Sequence, residues 1–298
     1  MRILITGASG FLGSHLVGRL AAEGHEIVVL PSPRFRPERL GGARFEVAGR
    51  AADARAELVY HLAGTPLESS IPDAEHARAI VGGAARLIDE LRAFPPRRVV
   101  VAGSAAEYGS GHGWTEEDAP EARPDTMFGR LKQAAWQLIR DSRLEAVELR
   151  LFTPFGEGEA ERRLVPSAIA AALAGRPLRL RSTGRQTRDY CYVGDVTEAL
   201  VEAGRRSIEP GTVINVSTGV ARRVGDAARR IVALAGGGVQ VETGTEEPAS
   251  LRQLSGNPER ARRLLGWTPR TSFDEGVRRT IAWCKAREQR AWPGAGRA

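Results

Sequence analysis

The chain has 298 residues, enough to bury the core of one large α/β unit or of a unit carrying a smaller appendage. Its net charge is +7, but of 43 basic residues only Lys132 and Lys285 are lysines, and the arginines are scattered among acids instead of forming the basic stripe that nucleic acid requires. Cys191 and Cys284 lack metal-site spacing, the N-terminus shows no leader pattern, and no apolar run approaches the ~20 residues of a membrane span, so a soluble cytoplasmic protein without metal, membrane or nucleic acid is expected.

The short apolar run Arg2-Ile3-Leu4-Ile5 reads as a strand, and Ser14 to Glu23 as an amphipathic helix. Between them stands Thr6-Gly7-Ala8-Ser9-Gly10-Phe11-Leu12-Gly13. Glycine turns tightly and lets backbone approach a phosphate, while the helix start offers free N–H groups, so this turn is suited to a dinucleotide diphosphate. A second strand, Glu26 to Leu30, is followed by Pro31-Ser32-Pro33-Arg34-Phe35-Arg36, with no acid before Glu38. A carboxylate there would bind a ribose 2′-hydroxyl; Ser32, Arg34 and Arg36 suit a 2′-phosphate, so NADP(H) is expected, NAD being the alternative.

Strands are expected at Ala43 to Val47 and in Glu57-Leu58-Val59-Tyr60-His61-Leu62-Ala63-Gly64, where His61 reads as packed, not catalytic. An uninterrupted helix from Asp73 to Phe94 ends at Pro95-Pro96. The buried strand Arg98 to Ala102 then delivers Gly103-Ser104-Ala105-Ala106-Glu107-Tyr108-Gly109 to its C-terminal edge, where open α/β sheets bind ligands. A helix opens at Thr126-Met127-Phe128-Gly129-Arg130-Leu131-Lys132 and runs to about Ser142. Further strands cover Ala146 to Phe152 and Val213 to Val216. Helices cover Arg162 to Ala174, Val196 to Ala203 with Asp195 as its cap, Val224 to Ala235, and Phe273 to Arg287.

The Gly-x-x-Gly-x-x-Gly spacing resembles the short-chain dehydrogenase/reductase superfamily. Arg188-Asp189-Tyr190 with Val193-Gly194-Asp195-Val196, and Asn257 to Pro269, resemble its extended members of the NAD-dependent epimerase/dehydratase family, which act on nucleotide sugars. The resemblance implies an α/β fold: a doubly wound parallel (Rossmann) sheet with a small C-terminal α/β substrate cap, and a homodimer. The dinucleotide domain would take 1–154 with 189–216 and the cap 155–188 with 217–292, leaving 293–298 as a disordered tail.

By the same resemblance, Gly7, Ser9, Gly10, Phe11, Leu12, Gly13, Leu62 and Ala63 border the cofactor, Ser104 polarises the substrate oxygen, and Lys132 holds the nicotinamide ribose. Phe128 stands where the family's Tyr-x-x-x-Lys pair has its tyrosine. Phenylalanine has no proton to exchange, which leaves three readings: an introduced Tyr→Phe change, another proton donor, or binding without turnover. Thr153, Arg163, Val165, Arg188 and Arg252 are expected at a nucleotide-diphosphate sugar, where guanidinium forks suit phosphate. Ala105 and Ala106 replace the carboxylates of related dehydratases and decarboxylases, and Glu107 should face the other way on an extended strand. A 4-ketoreductase is therefore expected, a 4-epimerase being the alternative and a cofactor-binding protein the third.

Overall fold

The computed structural model describes residues 1–65, 71–110, 114–115, 123–247 and 253–291. Seven strands form one parallel sheet: β1 (Arg2–Thr6), β2 (Glu26–Leu30), β3 (Glu46–Val47), β4 (Leu58–His61), β5 (Arg98–Ser104), β6 (Ala146–Leu151) and β7 (Val213–Val216), in the spatial order β7-β6-β5-β4-β1-β2-β3. Parallel strands need helical crossovers on both faces, which explains why β1, β4, β5 and β6 are apolar almost throughout. The pleat sends Ile3, Ile5, Tyr60, Val100 and Leu149 to one face, and Leu4, Val59, Val99, Val101 and Ala146 to the other.

The first face is covered by α1 (Phe11–Ala22), with Leu16, Val17 and Leu20 inward, and by α5 (Val193–Arg205) and α7 (Glu259–Leu265). The second is covered by α2 (73–91) and α3 (Met127–Asp141). α2 runs through Asp73–Ala77, a π turn at Arg78–Gly82, and Gly83–Leu91, so the uninterrupted helix expected there carries a wider turn just before the Gly82-Gly83 pair.

A second core lies beside the sheet's C-terminal edge, where α4 (Leu164–Leu173), α6 (Val224–Ala235) and α8 (Phe273–Ala291) pack Ile169, Ile231, Phe273 and Val277 together with Phe155 and Tyr190. Strands Leu178–Ser182 and Val241–Glu246 pair in parallel there. Ala261, Leu265 and Trp267 pack with the sheet, so the chain after 217 is shared between both cores. Asp195 lies inside α5 and accepts from Thr271 N at 2.9 Å, so it anchors the approach to α8 and does not cap its own helix. No described helix is long and apolar enough to cross a membrane.

Candidate functional site

The turn between β1 and α1 is shaped by its glycines. Gly7 has φ +71°, and a Cβ there would lie 2.8 Å from the Leu62 carbonyl and the Ala63 amide, so the turn closes directly onto the end of β4. A Cβ on Gly13 would lie 2.2 Å from Gly7 O, which makes α1 sit on that turn. Gly10 N donates to Gly7 O at 2.9 Å. No side chain caps α1, so the first-turn N–H groups of Phe11, Leu12 and Gly13, which no helical carbonyl reaches, suit a diphosphate.

Ser9 Oγ accepts from Arg36 N at 3.0 Å and ties the loop after β2 to this turn. Ser32 Oγ accepts from Arg34 N at 3.3 Å. Arg34 Nη2 in turn donates to Glu75 Oε1 at 2.6 Å. The acid that the sequence lacks after β2 thus arrives from α2, and Arg34 is not a lone cation awaiting a 2′-phosphate.

At the end of β4, His61 Nδ1 lies 2.8 Å from Thr6 Oγ1, which also accepts from Ala63 N. Burial pushes His61 down to about 3 and nearby Lys132 adds to this, so it is a neutral, packed histidine. Lys132 Nζ donates to the Ala102 carbonyl at 2.8 Å, and a Cβ on Gly64 would lie 3.8 Å from it. Burial pushes the Lys132 ammonium down, while Glu107 and Glu148 hold it up. Phe128, one helical turn earlier, is half-buried against the α2/α3 core.

Ser104 ends β5. Its Oγ accepts from Ala106 N at 3.1 Å, and its hydroxyl proton has no acceptor among the described residues. Residues Ala105–Glu107 form a one-turn helix, not an extended strand. Glu107 therefore leaves the cleft by folding underneath, where its Oε1 accepts from Ser104 N at 2.7 Å.

On the cap side, Thr153 is half-buried and its carbonyl accepts from Cys191 N. Arg163 precedes α4 and its Nε donates to Glu159 Oε1 at 3.3 Å. Burial pushes Glu159 up to about 7 against that pairing. The Val165 side chain is buried in the cap core, so only its backbone can meet a ligand. Arg188, half-buried, donates to the Thr187 carbonyl; burial lowers its pKa, Tyr190 and Asp125 oppose this, and the like charge of Arg163 adds to it. Two guanidiniums crowded in this way are suited to an anion. Arg252 and residues 293–298 lie outside the described residues.

Sequence reasoning missed Glu75, Glu148 and the role of Glu107. Glu148 had a signal: in Ala146-Val147-Glu148-Leu149-Arg150-Leu151, opposite charges two apart share one face of an otherwise apolar strand.

The profile of the NAD dependent epimerase/dehydratase family matches residues 3–217. A UDP-glucose 4-epimerase of Mycolicibacterium smegmatis is 30% identical over 315 residues, covering 97% of this chain and 100% of the relative. UDP-glucuronic acid decarboxylase 6 of Arabidopsis thaliana is 26% identical, covering 93% and 87%. The solved structure of MoeE5 in complex with UDP-glucuronic acid and NAD superposes with TM-score 0.86 at 29% identity, over 96% of this chain and 100% of that one. With a family profile that matches residues 3–217 and a relative 30% identical over nearly the whole of both chains, the chain belongs to the NAD dependent epimerase/dehydratase family, on an extended short-chain dehydrogenase fold.

Proposed function

We propose that the protein is a nucleotide-sugar 4-epimerase acting on a UDP-linked hexose or hexuronic acid, with a nicotinamide dinucleotide kept in place through the cycle. The observation that carries this is the chemistry at the β5 edge: Ser104 and Lys132 stand there, while Ala105 and Ala106 offer no carboxylate for water loss or decarboxylation. The dinucleotide supplies reversible hydride exchange. Ser104 donates a hydrogen bond from its hydroxyl to the C4 oxygen; the proton of the C4 hydroxyl passes to water as hydride leaves C4 and comes back from water as hydride returns, because position 128 has no atom to hold it. The Lys132 ammonium, with one N–H on Ala102, has two left for a ribose diol. Arg163 and Arg188 grip the diphosphate, and Phe128 moves no proton.

A 4-ketoreductase using NADPH is the second reading, favoured by the absence of an acid between Leu30 and Glu38. The Arg34–Glu75 contact weakens it, since a carboxylate beside the adenosine ribose opposes a 2′-phosphate. Identifying the nucleotide released on denaturation, and following UDP-glucose and UDP-glucuronic acid by chromatography, tests both. Released NAD with formation of the C4 epimer supports the epimerase. NADPH consumption with a 4-keto sugar nucleotide and no epimer overturns it, and cofactor binding with neither reaction points to a binder. The resemblance further implies a homodimer, which sedimentation equilibrium reads directly.

A further inference from the structure

Four ionisable side chains meet on the α2/α3 face of the sheet beneath Ser104. Glu148 and Arg150 share that face of β6 with Ala146, Lys132 enters from α3, and Glu107 folds under from the turn after β5. Glu107 is 0% exposed, Glu148 1% and Arg150 7%. Arg150 Nε donates to Glu148 Oε2 at 3.0 Å, and its Nη2 lies 3.5 Å from Glu107 Oε2, an ion-pair contact without a hydrogen bond. The guanidinium lies over the Tyr108 ring at 4.4 Å, and the Tyr108 hydroxyl donates to Asn215 Oδ1 on β7. The Glu148 carboxyl fills the space of the missing side chain at Gly103, 2.7 Å from where a Cβ would stand. It thereby abuts the backbone between Ala102, which holds Lys132, and Ser104. Among the described residues the remaining titratable neighbour of Lys132 is His61, from β4, which is neutral.

Two carboxyl oxygens in this cluster are orphaned. Glu107 Oε2 and Glu148 Oε1 are buried and have no hydrogen-bond partner among the described residues. A buried acceptor left without a donor has given up its hydration for nothing, and the loss is greatest when the group is charged. Both carboxyls meet the Arg150 guanidinium; burial pushes each of them up, and the charge of Glu107 pushes Glu148 up further, so the pair favours uptake of a proton. One proton between them satisfies one oxygen as donor and the other as acceptor. It also leaves a single negative charge opposite Arg150.

We propose that Glu107 and Glu148 share one proton and, with Arg150, are positioning residues that set the charge of Lys132 in a site where position 128 has no phenol to do so. The bearing on turnover rests on the proposed role of Lys132 at the ribose; the charge arrangement stands without it. The chain has only two lysines, and Lys285 is exposed, so lysine labelled biosynthetically at Cε with carbon-13 gives one buried NMR signal and one control.

In Glu107→Gln and in Glu148→Gln, each of which keeps one negative charge, the Lys132 transition moves by less than about half a pH unit; in the double variant it falls by about one to three units. A fall of about half a unit or more in either single variant shows that its carboxylate is ionised on its own account and overturns the proposal, as does a double variant that leaves Lys132 unmoved. If the double variant does not fold, infrared spectra at pH 8, above the range in which Glu159 takes up its proton, decide: the parent shows a protonated-carboxyl stretch that each single variant removes. Absence of that stretch overturns the proposal. None of these measurements needs a substrate, so failure of the epimerase assay leaves them intact.

Discussion

Phe128 stands one helical turn before Lys132, half-buried at the start of α3, and its ring fills the place of a proton donor without supplying one. Phe128→Tyr is expected to raise kcat by ~10²–10⁴ while cofactor occupancy stays unchanged, as steady-state assays and nucleotide release would show. Glu159 makes a second prediction. Its folded pKa, about 7, lies above its ordinary 4.5, so the folded protein binds the proton more tightly than the unfolded chain. The stabilisation is fully present below pH 4.5 and is lost as pH rises through 7. Glu159→Gln is therefore expected to be more stable than the parent at pH 8, by on the order of 2 kcal/mol, with the advantage gone at pH 4, read by urea unfolding at both. The glycine turn was legible in sequence, because chain-local spacing fixes it. Glu75 and Glu159 were not, since each meaning depends on an arginine brought to it by the fold or on burial by distant residues.

The turn and α1 behave as one element. Gly13 has no room for a methyl group, its Cβ position lying 2.2 Å from Gly7 O and 2.6 Å from Ala8 O, both backbone atoms that cannot swing aside. Gly13→Ala is expected to cost about 1–3 kcal/mol in thermal unfolding and to abolish retention of the dinucleotide, because the first turn of α1 must lift. Strand and helix positions followed hydrophobic period closely, but α2 shows what that period cannot carry. The π turn at Arg78–Gly82 brings Ile80 to within 3.9 Å of a Cβ position on Gly64, beside Lys132. Only the Gly82-Gly83 pair hinted at it. The Ala105–Glu107 turn was misread for a similar reason: a one-turn helix has no periodicity, and the Ser104/Glu107 capping box that defines it was taken for the continuation of a strand.

Across the whole molecule, the loop opening the cap is strapped to the cofactor half. His15 on α1 lies 2.7 Å from the Glu157 carbonyl through Nε2, and Arg39 Nη2 donates to the Gly158 carbonyl at 2.7 Å. The same loop leads to Glu159 and Arg163. Replacing His15 and Arg39 together by alanine, at about 1 kcal/mol per bond, is expected to raise the KM for the sugar nucleotide roughly tenfold with kcat little changed, measured by initial rates at saturating cofactor. The doubly wound parallel sheet was legible through the family resemblance that the glycine turn and the Arg188–Val196 segment carry, whereas this strap, joining residues more than a hundred positions apart, left no local mark.

Trp267 Nε1 donates to the Asp195 carbonyl at 2.9 Å, and Trp267, Ala261 and Leu265 seal the sheet's first face. During synthesis, all seven strands have left the ribosome while this seal is still unmade. Until Trp267 has emerged the nascent chain therefore shows an oily flank, and truncation anywhere before it is expected to promote aggregation.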